Sequence, residues 1–448
     1  MHTLVVDIGK TNKKALVFDA ELRVVAEASE RLPETRDEDG DPCEDLAALE
    51  RWVDARVAEL RAAWPVGRVN FTTYGASLVY VDAADRPLTP LYDYLKPIDT
   101  DGLRRDIYRA HGGPQHLHAV TASPPLEGGL NSGFQLAWLR ARRPGAFAKT
   151  RYALHLPNYL SYRYSGCVVA DYTSIGCHTA LWDFPRGAYH AWVAESGLAG
   201  VLPPARAATG VAPGRGPAEG LLVGTGIHDS SAALLPHLRD RERAAAGGHG
   251  AGGGFVLLST GTWSIAFNPD NHSPLTTYEL SRDCLAFMQP DGRPVKASRL
   301  FLGREHELQV ERLAARFGVS PNAYRDLAYD AALDPVGQPP VTRWVVLPQR
   351  VEPAGEAPAD ADFARAYHRL MRELVDAQAG QLRLIVADGE LRELVVDGGF
   401  AANALFLAML ARTYPGARVR TGTHAQGTAL GAAIALQPRA TQAETPAA

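Results

Sequence analysis

The sequence predicts an α/β protein made of two halves of similar design. An amphipathic helix at 45–64 is followed by a short apolar strand at 69–74, and this succession is typical of α/β sheets. Two β-hairpins of one pattern, an apolar run, a small polar turn and a second apolar run, are predicted at 3–18 and 255–267. Their shared pattern indicates that each half begins on a hairpin of its own.

The first hairpin has features of a phosphate-binding turn. At its tip, Gly9 permits backbone conformations closed to most residues, and Thr11 and Asn12 offer N–H groups and short polar side chains. Three lysines add positive charge around the tip: Lys10, Lys13 and Lys14. Such a tip can cradle phosphate oxygens, with Asp7 holding a metal ion or its water. An ordinary hairpin with a polar turn is the alternative interpretation.

The second hairpin carries small hydroxyl residues and a glycine at its turn, namely Thr260, Gly261 and Thr262. Their N–H groups and hydroxyls suit phosphate oxygens in the same way. Later in this half a strand at 394–396 leads into Asp397-Gly398-Gly399, and a helix is predicted from Ala401 to Arg412. Helices are also predicted at 362–378 and, from small residues able to pack closely on a sheet, at 427–436.

Between the hairpins, a candidate acid lies at the junction of a strand and a helix. Leu222 and Val223 form a short predicted strand, and Asp229 opens a helix of small residues, where the helix dipole stabilises its anion. A simple N-cap role for Asp229 and a structural role for His228 are the alternatives. The strand at 69–74 ends at Gly75 and Ala76, which we expect at the same edge of the sheet as Asp229.

Composition favours a cytoplasmic protein with a small-molecule partner. The 448 residues carry a net charge of −4, so no nucleic-acid or membrane partner is indicated. The four cysteines are widely spaced, which predicts reduced thiols and neither a zinc site nor a disulfide framework. No leader-like segment and no apolar run of membrane-spanning length is recognised. The oligomeric state stays open, with a homodimer among the alternatives.

A charged and then Ala/Gly-rich stretch predicts the domain boundary. Residues 237–254 are interpreted as a linker or surface loop between an N-terminal domain, 1–236, and a C-terminal domain, 255–436. Residues 437–448 are expected to form a disordered tail.

Four short motifs, in this order, resemble those of the FGGY family of carbohydrate kinases, and the resemblance extends from Thr3 to about Leu436. They are the first phosphate loop at 7–11, the segment of the catalytic base at 226–229, the second phosphate loop at 259–263 and the adenosine motif at 396–403. A further segment at 131–139 is similar to a family signature, and the overall pattern is nearest to the L-rhamnulose and L-fuculose kinases.

The resemblance implies two ribonuclease H-like domains of the actin/hexokinase ATPase type around a central cleft, the first binding sugar and the second nucleotide. It implies transfer of the γ-phosphoryl group of ATP to a primary hydroxyl of a ketose, with Asp229 as general base and Asp7 as the Mg²⁺ ligand. ATP would be bound by Gly9, Lys10, Thr11, Asn12, Thr260, Gly261, Thr262, Gly398, Gly399 and Asn403. The sugar would be bound by Gly75, Ala76, His228 and Asp229.

The chain departs from the family pattern at three places. Lys10 stands where a small hydroxyl residue is usual, and its ammonium can lie over the β- and γ-phosphates or point to water. Gln135 replaces a usual lysine, and Phe400-Ala401-Ala402 replaces a common Gly-Ser-Arg. These departures bear on the ATP contacts and on the identity of the sugar.

Other functions are compatible with parts of this pattern. A kinase of another pentulose or polyol, such as xylulose, ribulose or glycerol, differs only in a few hydroxyl contacts of the pocket. An actin- or chaperone-like ATPase would need no base directed at a sugar, and sugar-independent ATP turnover would identify it. A catalytically silent sugar sensor would not need both Asp7 and Asp229.

Overall fold

The computed structural model describes residues 1–246, 254–338, 342–345, 350–353, 360–387, 389–424 and 426–437. It is an α/β protein whose chain divides into two compact units. Unit 1 contains Met1–Asp240, Ala286–Pro294 and His424–Ala448, and unit 2 contains Arg241–Leu285 and Val295–Thr423. The α/β class predicted from the sequence is confirmed. Among the described residues, no helix combines the length and apolar character that a membrane span requires.

Unit 1 is built on a seven-stranded sheet. Its strands, as far as the described residues define them, are β1 (His2–Ile8), β2 (Lys13–Phe18), β3 (Val24–Glu30), β4 (Glu34–Arg36), β5 (Pro42–Glu44), β6 (Val66–Thr73), β7 (Leu78–Val81), β8 (Leu91–Tyr92), β9 (Tyr152–His155), β10 (Ala170–Asp171), β11 (Trp182–Asp183), β12 (Ala188–Tyr189), β13 (Ala205–Arg206), β14 (Val211–Pro213), β15 (Leu222–Gly224) and β16 (Ile227–His228). The sheet order is β14-β15-β6-β1-β2-β3, and β16 also pairs with β6.

The helices of the same part of the chain are α1 (Leu46–Ala63), α2 (Asp101–Ala110), α3 (Gly113–Val120), α4 (Ser132–Arg142), α5 (Pro144–Lys149), α6 (Leu156–Ser165), α7 (Tyr172–Ile175), α8 (Ala191–Glu195) and α9 (Asp229–Ala246). α1 shows how the sequence pattern becomes structure. Asp45 caps its N-terminus by accepting a hydrogen bond from the N–H of Ala48. The apolar face of α1 is buried in the core that also contains residues of β1 and β6.

Unit 2 contains a six-stranded sheet of order β19-β20-β18-β17-β23-β24. In the described residues the later strands are β17 (Phe255–Thr260), β18 (Ser264–Asn268), β19 (Cys284–Met288), β20 (Pro294–Leu300), β21 (Thr342–Val345), β22 (Arg350–Pro353), β23 (Glu393–Gly398) and β24 (Arg418–Thr421). The helices are α10 (Thr277–Ser281), α11 (Leu302–Phe317), α12 (Phe363–Ile385) and α13 (Ala404–Thr413). β17 and β18 form the second predicted hairpin, and β17 pairs in parallel with β23.

The predicted linker is wrong over its first ten residues. α9 begins at Asp229 and continues through Pro236 to Ala246, so 237–246 are helical. A proline normally ends a helix because it lacks an N–H donor, but the Arg, Glu and Ala residues that follow are strong helix formers, and Leu234, Leu235 and Pro236 are buried. Residues 247–253 of the predicted linker lie outside the described part of the chain.

The C-terminal helix α14 (Gly427–Ala435) belongs to unit 1, and not to the predicted domain 255–436. The side-chain amide of Asn70 on β6 donates to the carbonyl of Ala432 at 2.8 Å. Gly431 lies so close to α9 that an added Cβ would come within 1.8 Å of the Ala232 carbonyl oxygen. The small residues predicted close packing on a sheet, but they could not indicate which sheet. Of the predicted tail 437–448, residues 438–448 lie outside the described residues.

Candidate active site

The topology of unit 1 brings Asp7 and Asp229 to one edge of the sheet. β1 runs parallel to β6 with Asp7 beside Thr72, and β16 runs parallel to the other side of β6 with His228 beside Thr73. Asp229 follows His228 at once and is the first residue of α9. Since the carboxyl ends of parallel strands lie at the same edge, the two acids approach each other across β6.

The carboxyl group of Asp7 is electrostatically strained. Burial raises its pKa most, the charge of Asp229 raises it further, and the charge of Lys14 opposes both, so that the pKa is about 7. A hard divalent cation would relieve this strain, because carboxylate oxygen is the ligand that Mg²⁺ prefers. Mg²⁺ is commonly held by one or two carboxylates together with substrate phosphates, so the residues present fit that ion.

Asp229 presents a partly fixed carboxylate. Its Oδ1 accepts hydrogen bonds from the Ser230 N–H at 2.6 Å and the Ser230 hydroxyl at 3.2 Å, and His228 Nε2 lies 3.4 Å away. All three of these contacts are made by Oδ1, so Oδ2 is the oxygen that can meet a ligand. The side chain is 32% exposed, so a small-molecule hydroxyl can reach it.

The four predicted sugar-site residues are close together. His228 Nε2 would lie 2.6 Å from a Cβ added to Gly75, so this position has no room for a side chain. Ala76 is buried with a φ of 61°, an uncommon left-handed conformation for alanine. The backbone N–H of His228 donates to the Thr173 hydroxyl, while its buried Nδ1 has no hydrogen-bond partner among the described residues. A hydroxylated ligand would supply one.

The first hairpin tip is held from beneath by a buried lysine. The Gly9 N–H donates to the Asn12 carbonyl at 3.0 Å. The Lys13 ammonium donates to the carbonyls of Gly9 and Lys10 and to Glu44, the last at 2.7 Å. Lys13 therefore supports the turn from inside the fold, and it does not add surface charge as its position in the sequence suggested. Thr11 is exposed at the tip.

Two other side chains of this tip are already engaged. The amide oxygen of Asn12 accepts a hydrogen bond from Arg31 Nε at 3.0 Å. The ammonium of Lys10 contacts Asp93 Oδ2 at 2.5 Å, so it is engaged within the fold and does not point into open water. A phosphate group bound at this tip would consequently meet backbone N–H groups more readily than these two side chains.

In unit 2, Thr260 joins the second hairpin to the Gly398-Gly399 turn. The Thr260 hydroxyl donates to the Asp397 carbonyl at 2.5 Å and accepts from the Phe400 N–H at 3.0 Å. Gly398 has a φ of 83°, and a Cβ there would lie 1.8 Å from the Thr260 carbonyl oxygen. Only glycine fits such a close approach. The Thr260 hydroxyl is therefore used within the fold, whereas Thr262 is exposed.

A pocket of about 560 Å³ in unit 2 brings four predicted nucleotide-site residues together. They are Gly261, Thr262, Gly399 and Asn403. The side chain of Asn403 is itself fixed, since its oxygen caps α13 at the Phe406 N–H and its amide donates to the Tyr367 hydroxyl at 2.7 Å. Asn403 thus shapes the wall of the pocket.

The same pocket includes Phe400 and Ala402 of the predicted adenosine motif and residues that the sequence did not indicate: Gly303, Arg304, His306, Glu307, Tyr324, Arg325, Leu327 and Ala404. Most of them come from the first turns of α11 and from 324–327, where the sequence has no recognisable motif. Burial lowers the pKa of His306 to about 4, so its ring is neutral at pH 7 and contacts the Tyr367 hydroxyl at 2.9 Å. Gly303 brings this wall of the pocket against the second hairpin, because a Cβ at this position would come within 1.8 Å of the Gly261 carbonyl oxygen. A glycine in the first turn of a helix was the one sequence feature that could have indicated this close approach.

Comparison with known families matches the chain in two successive parts. Residues 2–212 match the N-terminal domain of the FGGY family of carbohydrate kinases, and residues 252–445 match a carbohydrate kinase FGGY C-terminal domain. The chain belongs to the FGGY family of carbohydrate kinases. This family contains phosphotransferases that act on sugar alcohol groups. The family and the actin/hexokinase-type fold predicted from the motifs are confirmed.

Curated FGGY relatives match the chain over part of their length. A rhamnulokinase of Halalkalibacterium halodurans is 24% identical over 191 residues, which are 41% of this chain and 40% of the relative. An L-fuculokinase of Salmonella typhi is 25% identical over 276 residues, 58% of this chain and 55% of the relative. The matched regions thus span about half the length of these two relatives.

A solved FGGY-type structure matches the chain more completely. A carbohydrate kinase from Novosphingobium aromaticivorans superimposes with a TM-score of 0.76 at 27% sequence identity, covering 97% of this chain and 93% of that chain. This similarity supports the fold over nearly the whole length of the chain, but it does not identify the sugar.

Proposed function

We propose that the protein is an ATP-dependent sugar kinase that transfers the γ-phosphoryl group to a primary hydroxyl of a ketose. The observation that carries this proposal is the pair Asp7 and Asp229 at neighbouring strand ends, where the charge of Asp229 helps to raise the pKa of Asp7. Two acids in such positions suit the two tasks of the reaction, which are to hold the metal–phosphate group and to accept a proton.

Asp229 is the proposed general base. One of its oxygens is held by Ser230, and the group is exposed enough to meet a hydroxyl. As the hydroxyl oxygen attacks the γ-phosphorus, its proton passes to the carboxylate, and the bond to the leaving ADP oxygen breaks. His228, Gly75 and Ala76 would orient the sugar beside it. No phosphorylated enzyme intermediate is required.

Asp7 is the proposed Mg²⁺ ligand, and the hairpin tips are the proposed phosphate sites. Bound Mg²⁺ would neutralise charge on the phosphate oxygens. At the first tip, the N–H groups of Lys10, Thr11 and Asn12 would donate to phosphate oxygens, and at the second tip the Thr260 N–H and the N–H and hydroxyl of Thr262 would do so. The N–H groups of Gly9 and Gly261 instead close their own turns onto the carbonyls of Asn12 and Trp263. The 560 Å³ pocket beside Gly399 and Asn403 would receive the adenosine.

The proposed acceptor is a ketose of the L-rhamnulose or L-fuculose type. This choice is supported by the names of the two curated relatives and by the motif pattern. Kinases of other pentuloses or polyols, including xylulose, ribulose and glycerol, are the alternative acceptors. We further propose a cytoplasmic location, consistent with the four widely spaced cysteines that predict reduced thiols.

A coupled assay of ADP release, run over a panel of ketoses and polyols, tests this proposal. The panel includes L-rhamnulose, L-fuculose, xylulose, ribulose and glycerol, each with and without Mg²⁺. Phosphorylation of L-rhamnulose or L-fuculose with the highest kcat/KM supports the proposal. A higher kcat/KM for another member would replace the acceptor, and ATP turnover of equal rate without any sugar would favour an actin-like ATPase.

A further inference from the structure

The ammonium of Lys10 lies in a cage of three side chains: Tyr74, Asp93 and Tyr94. Its Nζ contacts Asp93 Oδ2 at 2.5 Å and lies 5.9 Å and 5.8 Å from the ring centroids of Tyr74 and Tyr94. The two rings meet edge to face, with centroids 5.9 Å apart. A cation near two aromatic rings and a carboxylate is attracted by all three.

This cage is more enclosed than an ordinary surface ion pair. The side chains of Lys10 and Asp93 are 27% and 11% exposed. Burial lowers the pKa of Lys10, but the hydrogen bond and charge of Asp93 more than offset this effect, so its pKa lies above the usual value. Lys10 therefore stays charged and stays committed to Asp93 at physiological pH.

The segment 93–96, which carries Asp93 and Tyr94, is anchored at its other end by a second lysine. Lys96 is buried, and its ammonium lies 2.7 Å from Asp37, 2.9 Å from Asp39 and 2.6 Å from Asp41. These aspartates are the group of acids in the described residues whose oxygens are spaced for a metal ion. Since the ammonium of Lys96 already supplies a cation there, the cluster serves to hold this segment.

Further hydrogen bonds fix the backbone between the two lysines. Asp93 Oδ1 accepts from the Leu95 N–H at 2.8 Å, which leaves Oδ2 for Lys10. The Tyr94 carbonyl accepts from the Gly129 N–H at 2.9 Å. The segment is consequently held in one conformation, although Leu95 at its centre is 65% exposed.

Tyr94 borders the proposed sugar site. Its ring packs edge to face on Tyr74, and the next residue after Tyr74 is Gly75, where an added Cβ would lie 2.6 Å from His228 Nε2. Tyr94 is therefore one ring away from the residues proposed to bind the sugar.

The electrostatics of the two phenols agree with this placement. Burial raises the pKa of Tyr94 most, and the charge of Asp229 is among the further causes. Burial and then Glu44 raise the pKa of Tyr74. Of the two cage phenols, we therefore assign that of Tyr94 to a molecule beside Asp229.

We propose that Lys10 is a positioning residue for the acceptor sugar: by holding Asp93 it fixes segment 93–96 and so places the Tyr94 hydroxyl beside the sugar at Asp229. The inference rests on the proposed function, because it takes the sugar to bind at Asp229. It differs from a phosphate-binding role for the Lys10 side chain in one measurable respect. The lysine acts on the affinity for sugar and not on the affinity for ATP.

Steady-state kinetics of four variants test this role: Lys10→Met, Asp93→Asn, the double variant and Tyr94→Phe. Each single change should raise the KM for the best ketose of the panel by about three- to tenfold, the effect of one lost hydrogen bond. The KM for ATP should stay within about twofold of wild type. The KM for sugar of the double variant Lys10→Met/Asp93→Asn should be no higher than that of the more impaired of these two single variants, because both changes break the same contact.

Tyr74→Phe is the matched control, since it leaves both rings of the cage and removes the phenol not assigned to a molecule beside Asp229; its KM for sugar should stay within about twofold. Thermal unfolding of each variant checks that it is folded. A raised KM for ATP with an unchanged KM for sugar in Lys10→Met would overturn the inference alone, and so would additive effects in the double variant. Absence of any sugar phosphorylation by the wild type would overturn the proposed function, and the inference with it.

Discussion

Asp7 and Asp229 lie at the ends of two strands that flank β6, and the charge of Asp229 contributes to a pKa of about 7 for Asp7. An ionised Asp7 is unfavourable for the fold when no cation is present, since its carboxyl group is desolvated and the charge of Asp229 opposes its ionisation. Acids that are kept under such strain are characteristic of functional sites. Two predictions follow from this relationship and can be tested without knowing the sugar.

The first concerns stability as a function of pH. The pKa of Asp7 is about 7 in the folded protein and near 3.8 in the unfolded chain. Between these values the unfolded chain has lost a proton that the folded protein keeps, so raising the pH lowers the free energy of unfolding. Asp7→Asn should remove this contribution and be more stable than wild type above pH 7, by up to about 4 kcal/mol.

Urea unfolding between pH 4 and pH 8, in EDTA, measures this effect as the difference between variant and wild type. The difference should be small near pH 4 and reach its full size above pH 7. Asp229→Asn should show part of the same gain, because it removes one of the causes that raise the pKa of Asp7. A difference that is constant across the pH range would contradict the assigned pKa.

The second prediction concerns the metal. Because the Asp7 carboxyl must lose its proton to bind Mg²⁺, the affinity for Mg²⁺–ADP should fall by up to tenfold for each pH unit below about 7. Asp7→Ala should weaken Mg²⁺–ADP binding by about tenfold or more and remove this pH dependence. Isothermal titration calorimetry measures both without turnover. An unchanged affinity in the variant would show that Asp7 is structural.

A third prediction separates two threonines of the second hairpin. Thr260→Val deletes the hydroxyl that bonds the Asp397 carbonyl and the Phe400 N–H, so it should lower the free energy of unfolding by about 1–3 kcal/mol. Thr262→Val, at the exposed tip that lines the pocket, should change stability by less than about 0.5 kcal/mol.

The two variants should also differ in their kinetics. Thr262→Val should raise the KM for ATP by about three- to tenfold through the loss of one phosphate contact. Chemical denaturation combined with initial-rate kinetics distinguishes the two roles. Equal losses of stability in both variants would mean that Thr260 does not connect the two turns as described.

The sequence predicted the short-range features of the fold and missed those set by tertiary packing. Alternating and helical apolar patterns located both hairpins and α1, because these signals are local. Pro236 concealed the continuation of α9, since the helix is maintained by burial of its apolar face and by the helix formers that follow. The assignment of α14 to unit 1 depends on its contact with Asn70, which no local pattern encodes.

The candidate site shows the same limit. Asp7, Asp229 and the glycine turns were predicted from local signals, because each lies where an apolar run ends or where a strand meets a helix, and from the order of the four motifs. The partners of their side chains could not be predicted, since Lys10 finds Asp93 across 83 residues of sequence and Thr260 finds Phe400 across 140. The α11 side of the nucleotide pocket was missed because its residues form no motif and meet only in the folded unit.

The most direct test of the account is the rate of sugar phosphorylation by Asp229→Asn. Asn has the shape of Asp but cannot accept the proton, so kcat with the best ketose should fall by about 10²-fold or more. The affinity for Mg²⁺–ADP should not weaken. Asp240→Asn, further along α9, serves as the control and should keep wild-type kinetics. A kcat near the wild-type value in Asp229→Asn would contradict its role as the general base.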